Sequence, residues 1–218
     1  MNSISCVSMR RLAAAGLCLV AAGACSTIRP AATPNTAFYA LESTRGAAPA
    51  ARPEPLPAAA PTLMVNPPHA AAGFDSPRII YLREMHKLEY FVHSEWVDPP
   101  ARMLAPLLVA ALQNTGAFRA VVLTPSSAAG DLRLDTEIVR LQHEFQAQPS
   151  RVRFTLRAYL VEDKTRRVLA WREFDAAVPA ASEDPYGGVV AANLAVRTVL
   201  ESVAAFCAEA ARSAPMAK

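Results

Sequence analysis

Apolar and polar residues alternate with a period of two in the second half of the chain. From Val152 to Leu160 every even-numbered residue is apolar, and the positions before and between them include Arg151, Arg153 and Arg157. Because successive side chains of a β-strand point to opposite faces, this pattern predicts a strand with one buried and one solvated face. The run 168–178 predicts its antiparallel partner, and with the strand before them these form a long meander.

The strand that precedes this pair has an irregular pattern. Apolar residues alternate with polar ones from Leu132 to Ile138, and the alternation then continues after a shift of one residue at Val139. Such a shift within an otherwise regular strand is typical of a β-bulge. We therefore expect a bulge near residues 138–140.

Two segments have apolar residues at the spacing of an α-helix. The first runs from about Pro99 to Thr115, with Asp98 expected to cap its start and Gly116 to end it. Its apolar stripe consists of Met103, Leu104, Leu107, Leu108, Ala111 and Leu112. The second helix runs from about Asp184 to Ala211. Cys207 lies on its apolar stripe, so we interpret this thiol as a small buried group and not as a reactive one.

Shorter apolar runs complete the expected sheet. Further strands are predicted at 63–65, 78–81, 88–92 and 118–123. The aromatic run 37–41 is expected to dock on the body as a strand, and the Ala- and Pro-rich segment 44–61 to form a loop. The sequence thus predicts an α+β fold, a single domain over 36–212 whose mainly antiparallel (mixed) β-sheet carries two packed helices, followed by a disordered tail at 213–218.

Residues 1–24 have the pattern of an export signal. Two arginines precede an apolar stretch from Leu12 to Val20, which is shorter than the roughly 17 to 25 residues that cross a bilayer. The run Ala22-Gly23-Ala24-Cys25 resembles a bacterial lipobox. This resemblance implies removal of the signal, a diacylglycerol and an N-acyl chain on Cys25, and a tether over 25–35. The alternative is a cleaved, soluble secreted protein with a coincidental cysteine.

Processing at Cys25 changes what the charge and the cysteines imply. The whole chain has a net charge of +3, and the signal removes two arginines and no acidic residue. The nearly neutral mature chain gives no electrostatic argument for binding nucleic acid or an anionic membrane surface. Cys6 and Cys18 leave with the signal, so Cys207 is the remaining unmodified cysteine and a disulfide within one chain is excluded.

Motifs for catalysis or metal binding are missing from the sequence. It contains no Gly-x-Ser-x-Gly elbow, Ser-x-x-Lys pair, His-Glu-x-x-His helix or glycine-rich phosphate loop. The four histidines are interpreted as surface or hydrogen-bonded residues, and His143 and Glu144 are expected on opposite faces of a strand. Glu183 and Asp184 fit a helix start, where negative charge is favourable. We therefore expect no enzymatic activity, no catalytic residue, no metal and no cofactor besides the lipid on Cys25.

Several runs of residues resemble a known family. They are Phe38 to Leu41, Arg78 to Tyr81, Leu88 to Phe91, Ser94 to Pro100, Gly116 to Phe118 and Asp131 to Asp135. Together they are similar to the ABC-type transport auxiliary lipoprotein family, which includes the paraquat-inducible protein C lipoproteins. Phe206 stands about where that family often has Trp, a difference that concerns packing more than activity.

The resemblance implies an auxiliary component of an MCE-type ABC transport system that moves lipids or hydrophobic compounds. Its expected partners are an MCE-domain protein and inner-membrane ABC transporter or permease subunits, with a homo-oligomer as a further option. Ser26 is not the Asp that retains lipoproteins in the inner membrane of enteric bacteria, so we expect the periplasmic face of the outer membrane. Two alternatives remain open, a carrier that holds lipid between helix and sheet and a structural lipoprotein of an envelope secretion assembly.

The sequence offers two candidate groups for a docking surface. The first is aromatic and consists of Tyr90, Phe91 and Trp96, against the alternative that Trp96 packs at the helix entrance. The second consists of arginines near acidic residues, against the alternative that they are merely solvated. These arginines are Arg151, Arg153, Arg157 and Arg172.

Overall fold

The structure is a computed structural model that describes residues 35–42 and 60–213 of the 218-residue chain. The predicted signal peptide, Cys25 and its tether, almost all of the Ala- and Pro-rich loop, and the predicted tail after residue 213 lie outside the described residues. The described helices and strands all belong to the unit formed by residues 36–218.

Nine strands and two helices make up the described part of the fold. In chain order they are β1 (Ala37–Tyr39), β2 (Thr62–Val65), β3 (His69–Ala70), β4 (Arg78–Leu82), β5 (Glu89–Trp96), α1 (Pro100–Asn114), β6 (Ala120–Leu123), β7 (Leu132–Glu144), β8 (Arg151–Glu162), β9 (Val168–Pro179) and α2 (Pro185–Ser213). The strands form one mixed sheet, and the two helices contact each other and the sheet. This arrangement confirms the predicted α+β fold.

The meander of β7, β8 and β9 is antiparallel, as the alternating pattern predicts. Leu134 lies opposite Leu160, and Leu156 lies opposite Phe174, so that apolar side chains line one face of all three strands. The register of β7 on β8 shifts between Ile138 and Arg140, which confirms the predicted bulge.

The short strands lie along the other edge of β7. Strand β2 pairs with the start of β7, β3 with its middle and β4 with its end, and all three pairings are parallel. Strand β6 extends the sheet beyond β2, and β5 followed by β1 extends it beyond β4. Strands β1 and β9 therefore lie on opposite sides of β7.

Helix α1 begins one residue later than predicted. Asp98 is not its cap; its carboxylate instead forms an ion pair with Arg102, 3.2 Å away. The cap position belongs to Pro99, whose backbone is extended (φ −50°, ψ 137°) because the following Pro100 disfavours a helical conformation there. The end of the helix is as predicted, since Gly116 has a positive φ of 63° after the cap residue Thr115.

Helix α2 covers the apolar face of β8 and β9. By length and composition it could cross a membrane, but 56% of the apolar window is buried inside the protein. Its buried residues include Val199, Val203 and Cys207, which belong to the same core cluster as Phe154 of β8. The apolar stripe of this helix is therefore used by the core.

The aromatic run near the N-terminus docks on the body, as predicted. Strand β1 pairs in parallel with the end of β5, and Leu41 just after it is buried in the core. The side chain of Asn193 on α2 holds the same segment, because its amide donates to the carbonyl of Ala40 at 3.2 Å and its carbonyl accepts from the N–H of Glu42 at 2.8 Å. We call residues 37–42 the strap.

Candidate functional site

The three aromatic residues predicted for docking do not form one surface. Trp96 is 3% exposed and packs in the core cluster with Ala101 and Leu104 of α1, so the prediction that it belongs to an exposed surface is wrong and the packing alternative holds. It is the last residue of β5, and α1 begins four residues later.

The other two aromatic residues have different surroundings. Tyr90 is 46% exposed, and the guanidinium of Arg78 lies 4.2 Å above its ring. Phe91 is half-buried among rings, with centroids 4.5 Å from Tyr81 and 6.4 Å from Phe145. Tyr90 keeps exposed area for a partner, and its role in docking stays a prediction.

The predicted arginines lie on the face of the meander opposite the helices, and acidic residues bridge them across strands. Arg157 binds Glu137 on β7 at 3.0 Å and Glu173 on β9 at 2.9 Å. Arg153 likewise lies 3.4 Å from Glu144 and 3.6 Å from Asp175, and Arg151 lies 2.9 Å from Glu144. On this face each of the three arginines is therefore paired with at least one acidic residue.

Glu144 forms ion pairs with both Arg151 and Arg153 at one end of this face. Burial alone would raise the pKa of Glu144, but hydrogen bonds from Gln142 and Arg151 and the charge of Arg153 hold its pKa below the usual value. The carboxylate therefore stays ionised and fixes both arginines in place.

Arg172 does not belong to this face. It has the opposite parity on β9, and its guanidinium lies 5.8 Å from the ring of Phe174 and 5.2 Å from that of Phe206. The Arg172 guanidinium therefore packs on the rings of Phe174 and Phe206, which contact each other edge to face at the border of the core. Its inclusion among the docking candidates is corrected.

An aromatic pair that the sequence analysis missed lies next to the arginines. Tyr159 and Trp171 are cross-strand neighbours on the charged face, with ring centroids 6.1 Å apart and planes inclined by 23°. Trp171 is 62% exposed. The parity of β9 was available from the sequence, because Trp171 has the same parity as Glu173 and Asp175.

A buried polar cluster joins β7, β8 and the start of α2. The Nε2 atom of His143 and the hydroxyl of Ser150 are hydrogen-bonded at 2.8 Å, and the N–H of Ser150 donates to the carboxylate of Glu183 at 2.8 Å. His143 is 2% exposed and Ser150 is fully buried. Asp184 caps α2 by accepting from the N–H of Gly187 at 2.7 Å, at the helix start where negative charge is expected from the sequence.

This cluster has the residue types of a catalytic triad but not its geometry. Glu183 binds the serine and not the imidazole, and Nδ1 of His143 has no partner among the described residues. Burial lowers the pKa of His143, and the charges of Glu183 and Asp184 offset only part of that effect. The neutral imidazole and the enclosed hydroxyl therefore connect elements of the fold and offer no reactive atom to solvent.

Metal binding and thiol chemistry find little support in the described part of the chain. Residues 35–42 and 60–213 contain no group of three or more His, Cys, Asp or Glu side chains placed to hold a metal ion. His143 and Glu144 point to opposite faces, as expected. Cys207 is buried, and this burial raises the pKa of its thiol to about 12, so the prediction of a packing role is confirmed.

A small cavity lies between α2 and the sheet. Its volume is about 10 Å³, and its walls include Ile80, Trp96, His143, Gly188 and Ala192. A space of this size holds about one water molecule. It is far too small for an acyl chain, so the described conformation gives no support to a lipid-binding groove at this place.

Comparisons with known proteins agree with the fold. The family model for "ABC-type transport auxiliary lipoprotein component" matches residues 39–204. A crystal structure of a Xanthomonas campestris protein of the family DUF330 is 24% identical, has a TM-score of 0.71, and covers 82% of this chain and 98% of its own. A hypothetical protein from Chlamydia trachomatis is 7% identical with a TM-score of 0.51, covering 70% and 98%. These structural likenesses show the fold alone, and no curated protein matches the sequence.

Proposed function

Because this chain belongs to the family of ABC-type transport auxiliary lipoprotein components, we propose that it is the lipid-anchored docking module of an MCE-type transport system. In this role it accompanies the movement of lipids or hydrophobic compounds across the cell envelope and catalyses no reaction itself. The family match over residues 39–204 carries the proposal. Its partners are an MCE-domain protein and the inner-membrane ABC transporter or permease subunits.

The fold suits a docking role between a membrane and a protein. The three acyl chains proposed for Cys25 give stable membrane attachment, because even two lipid signals suffice for that. The strap then joins the tether to a domain whose β-sheet and helices share one core. A rigid body on a short tether presents its faces to partners at a limited distance from the membrane.

Co-purification tests the proposed partners. The full-length, lipidated protein is tagged at its C-terminus and purified from envelopes in mild detergent. We expect an MCE-domain protein or a transporter subunit of the same system to co-purify. Recovery of unrelated outer-membrane proteins alone would contradict the proposal.

Lipidation and location need a separate test. We expect metabolic labelling with palmitate to mark the protein and membrane separation to place it with the outer membrane, since Ser26 follows the lipidated cysteine. The matched control is Cys25→Ala, which should take up no label. An unlabelled wild-type protein that is released by osmotic shock would show that the lipobox interpretation is wrong.

A further inference from the structure

The face of β7–β9 opposite the helices has an exposed aromatic centre. Trp171 is 62% exposed and stacks on Tyr159 of the neighbouring strand. Tryptophan and tyrosine side chains are enriched among the few residues that dominate binding energy at protein interfaces. They supply a large apolar area with few rotatable bonds, so that little entropy is lost when a partner covers them. We call the face formed by Tyr159, Trp171, Arg153, Arg157 and Glu173 the tryptophan face.

The charges of the tryptophan face suit burial against a protein. Arg157 lies between Glu137 and Glu173, and Arg153 lies between Glu144 and Asp175, so each guanidinium already has acidic partners within 3.6 Å. A partner can cover such pairs without leaving a charge unpaired. The same balance gives anionic lipid or nucleic acid no excess of positive charge to bind. A protein surface of mixed polarity is the chemistry that fits this face.

The tryptophan face and strand β1, the first described strand of the chain, lie on opposite sides of β7. The tether enters the body at β1, which lies beyond β4 and β5 on one side of β7. The tryptophan face is built from β8 and β9 on the other side. Counted by strand pairings, β9 lies five steps from β1, on the opposite side of β7.

We infer that the tryptophan face is the docking site for a transporter protein that projects into the periplasm. The inference rests on the proposed function, which supplies the partner, and it adds the surface that the partner binds. Trp171 forms the centre of the contact, with Tyr159 behind it and Arg157 at its side. The membrane surface and a second copy of this chain are the competing occupants.

Site-specific photo-crosslinking tests the inference in cells that make the full-length, lipidated protein. A photo-reactive phenylalanine analogue replaces Ala177, an exposed residue on the same side of β9, so that Trp171 stays intact. The control position is Val190, which is 47% exposed on α2. We expect a transport-system subunit, identified by mass spectrometry, to be attached at position 177 and not at position 190.

Two alanine variants then measure the contribution of the aromatic centre. Trp171→Ala should lower the yield of the adduct at position 177 by about tenfold or more, as expected for a dominant interface residue. Tyr186→Ala removes a ring of similar exposure, 63%, from α2 and should leave the yield unchanged. Thermal unfolding of both variants verifies that each is folded.

The outcomes distinguish the inference from the proposed function. An adduct with a second copy of the chain, or with lipid alone, overturns the docking site. So does an unchanged yield in the Trp171→Ala variant, or an adduct at position 190 alone, and in these cases co-purification of the transporter still supports the proposed function. If neither crosslinking nor co-purification recovers a transport subunit, both proposals fall.

Discussion

Gly188 packs directly against the imidazole of His143. A methyl group added at position 188 would stand 2.5 Å from Nδ1 of the ring, which is far inside contact distance. The ring is held in place, since it is buried and hydrogen-bonded to Ser150. The first turn of α2 can therefore lie this close to the sheet only because residue 188 has no side chain.

Gly188→Ala is expected to destabilise the protein by up to about 2 kcal/mol, because crowding of a packed core costs about 1–3 kcal/mol and the gain in helix propensity returns about 1 kcal/mol. Urea unfolding measures the change. Thr198→Ala, on the exposed side of the same helix, should stay within about 0.5 kcal/mol. In a His143→Ala background the cost of Gly188→Ala should disappear, and a fully additive double variant would contradict the contact.

The protein should lose stability as the pH falls below about 6.5, the ordinary value for histidine. Burial lowers the pKa of His143 in the folded state, so the unfolded chain takes up this proton first and unfolding becomes more favourable. The pKa of Glu183 and of Asp184 is lowered as well, by hydrogen bonds from Ser150 and Gly187 respectively, which extends the loss below about pH 4.5.

Urea unfolding at a series of pH values tests this dependence. His143→Gln removes the titrating ring and should flatten the profile between about pH 7 and 5 while leaving the loss at lower pH. An equally steep profile in that variant would show that His143 is not the group responsible.

Trp96 and Tyr90 should differ sharply in their effect on stability, although both are aromatic residues of β5. Trp96→Ala removes a buried core side chain and should cost about 3–5 kcal/mol. Tyr90→Ala removes a half-exposed ring and its contact with Arg78, worth about 0.5–1 kcal/mol. Chemical denaturation of the two variants measures the difference, and similar costs would argue against the burial of Trp96.

Cys207 should be unreactive in the folded protein. Its pKa, raised to about 12 by burial, keeps the thiol protonated and the core shields it from reagents. A thiol reagent should label the mature lipoprotein only after denaturant is added, and then at Cys207. Rapid labelling of the native protein would show that this part of α2 opens to solvent.

Asn193→Ala should loosen the strap without unfolding the core. The variant removes both side-chain hydrogen bonds to residues 40–42, each worth about 0.5–1.5 kcal/mol. Hydrogen exchange should accelerate at Leu41 and Glu42 while the amides of β8 keep their protection. Thr198→Ala again serves as the control, and a uniform acceleration across the sheet would mean that the strap and the core open together.

The regular parts of this fold could be predicted from the sequence because their signals are local. The meander shows alternation over long strands, and its bulge shows as a shift of one residue at Val139. The end of α1 follows from Gly116, and the start of α2 from the acidic pair Glu183 and Asp184. Each of these features depends on residues that are neighbours in the chain.

The remaining features depend on contacts between distant segments. No local pattern shows that β2, β3 and β4 lie one after another along β7, because each strand is short and forms few pairs. For the same reason the sequence did not separate the buried Trp96 from the exposed Tyr90. The parity of β9 would have placed Trp171 on the charged face, but its exposure follows from packing, since both described helices lie on the other side of the meander.

The order of attachment along the chain gives the strap a mechanical consequence. Tension from an anchored N-terminus would act first on the β1–β5 hydrogen bonds and on the hydrogen bonds from Asn193 to residues 40 and 42. The strap residues that make these bonds all come before β2 in the chain. These contacts can break while the meander keeps its pairing, because among the described strands β1 pairs with β5 alone. The strap is therefore the part of the described body that would open first under a pull on the N-terminal segment.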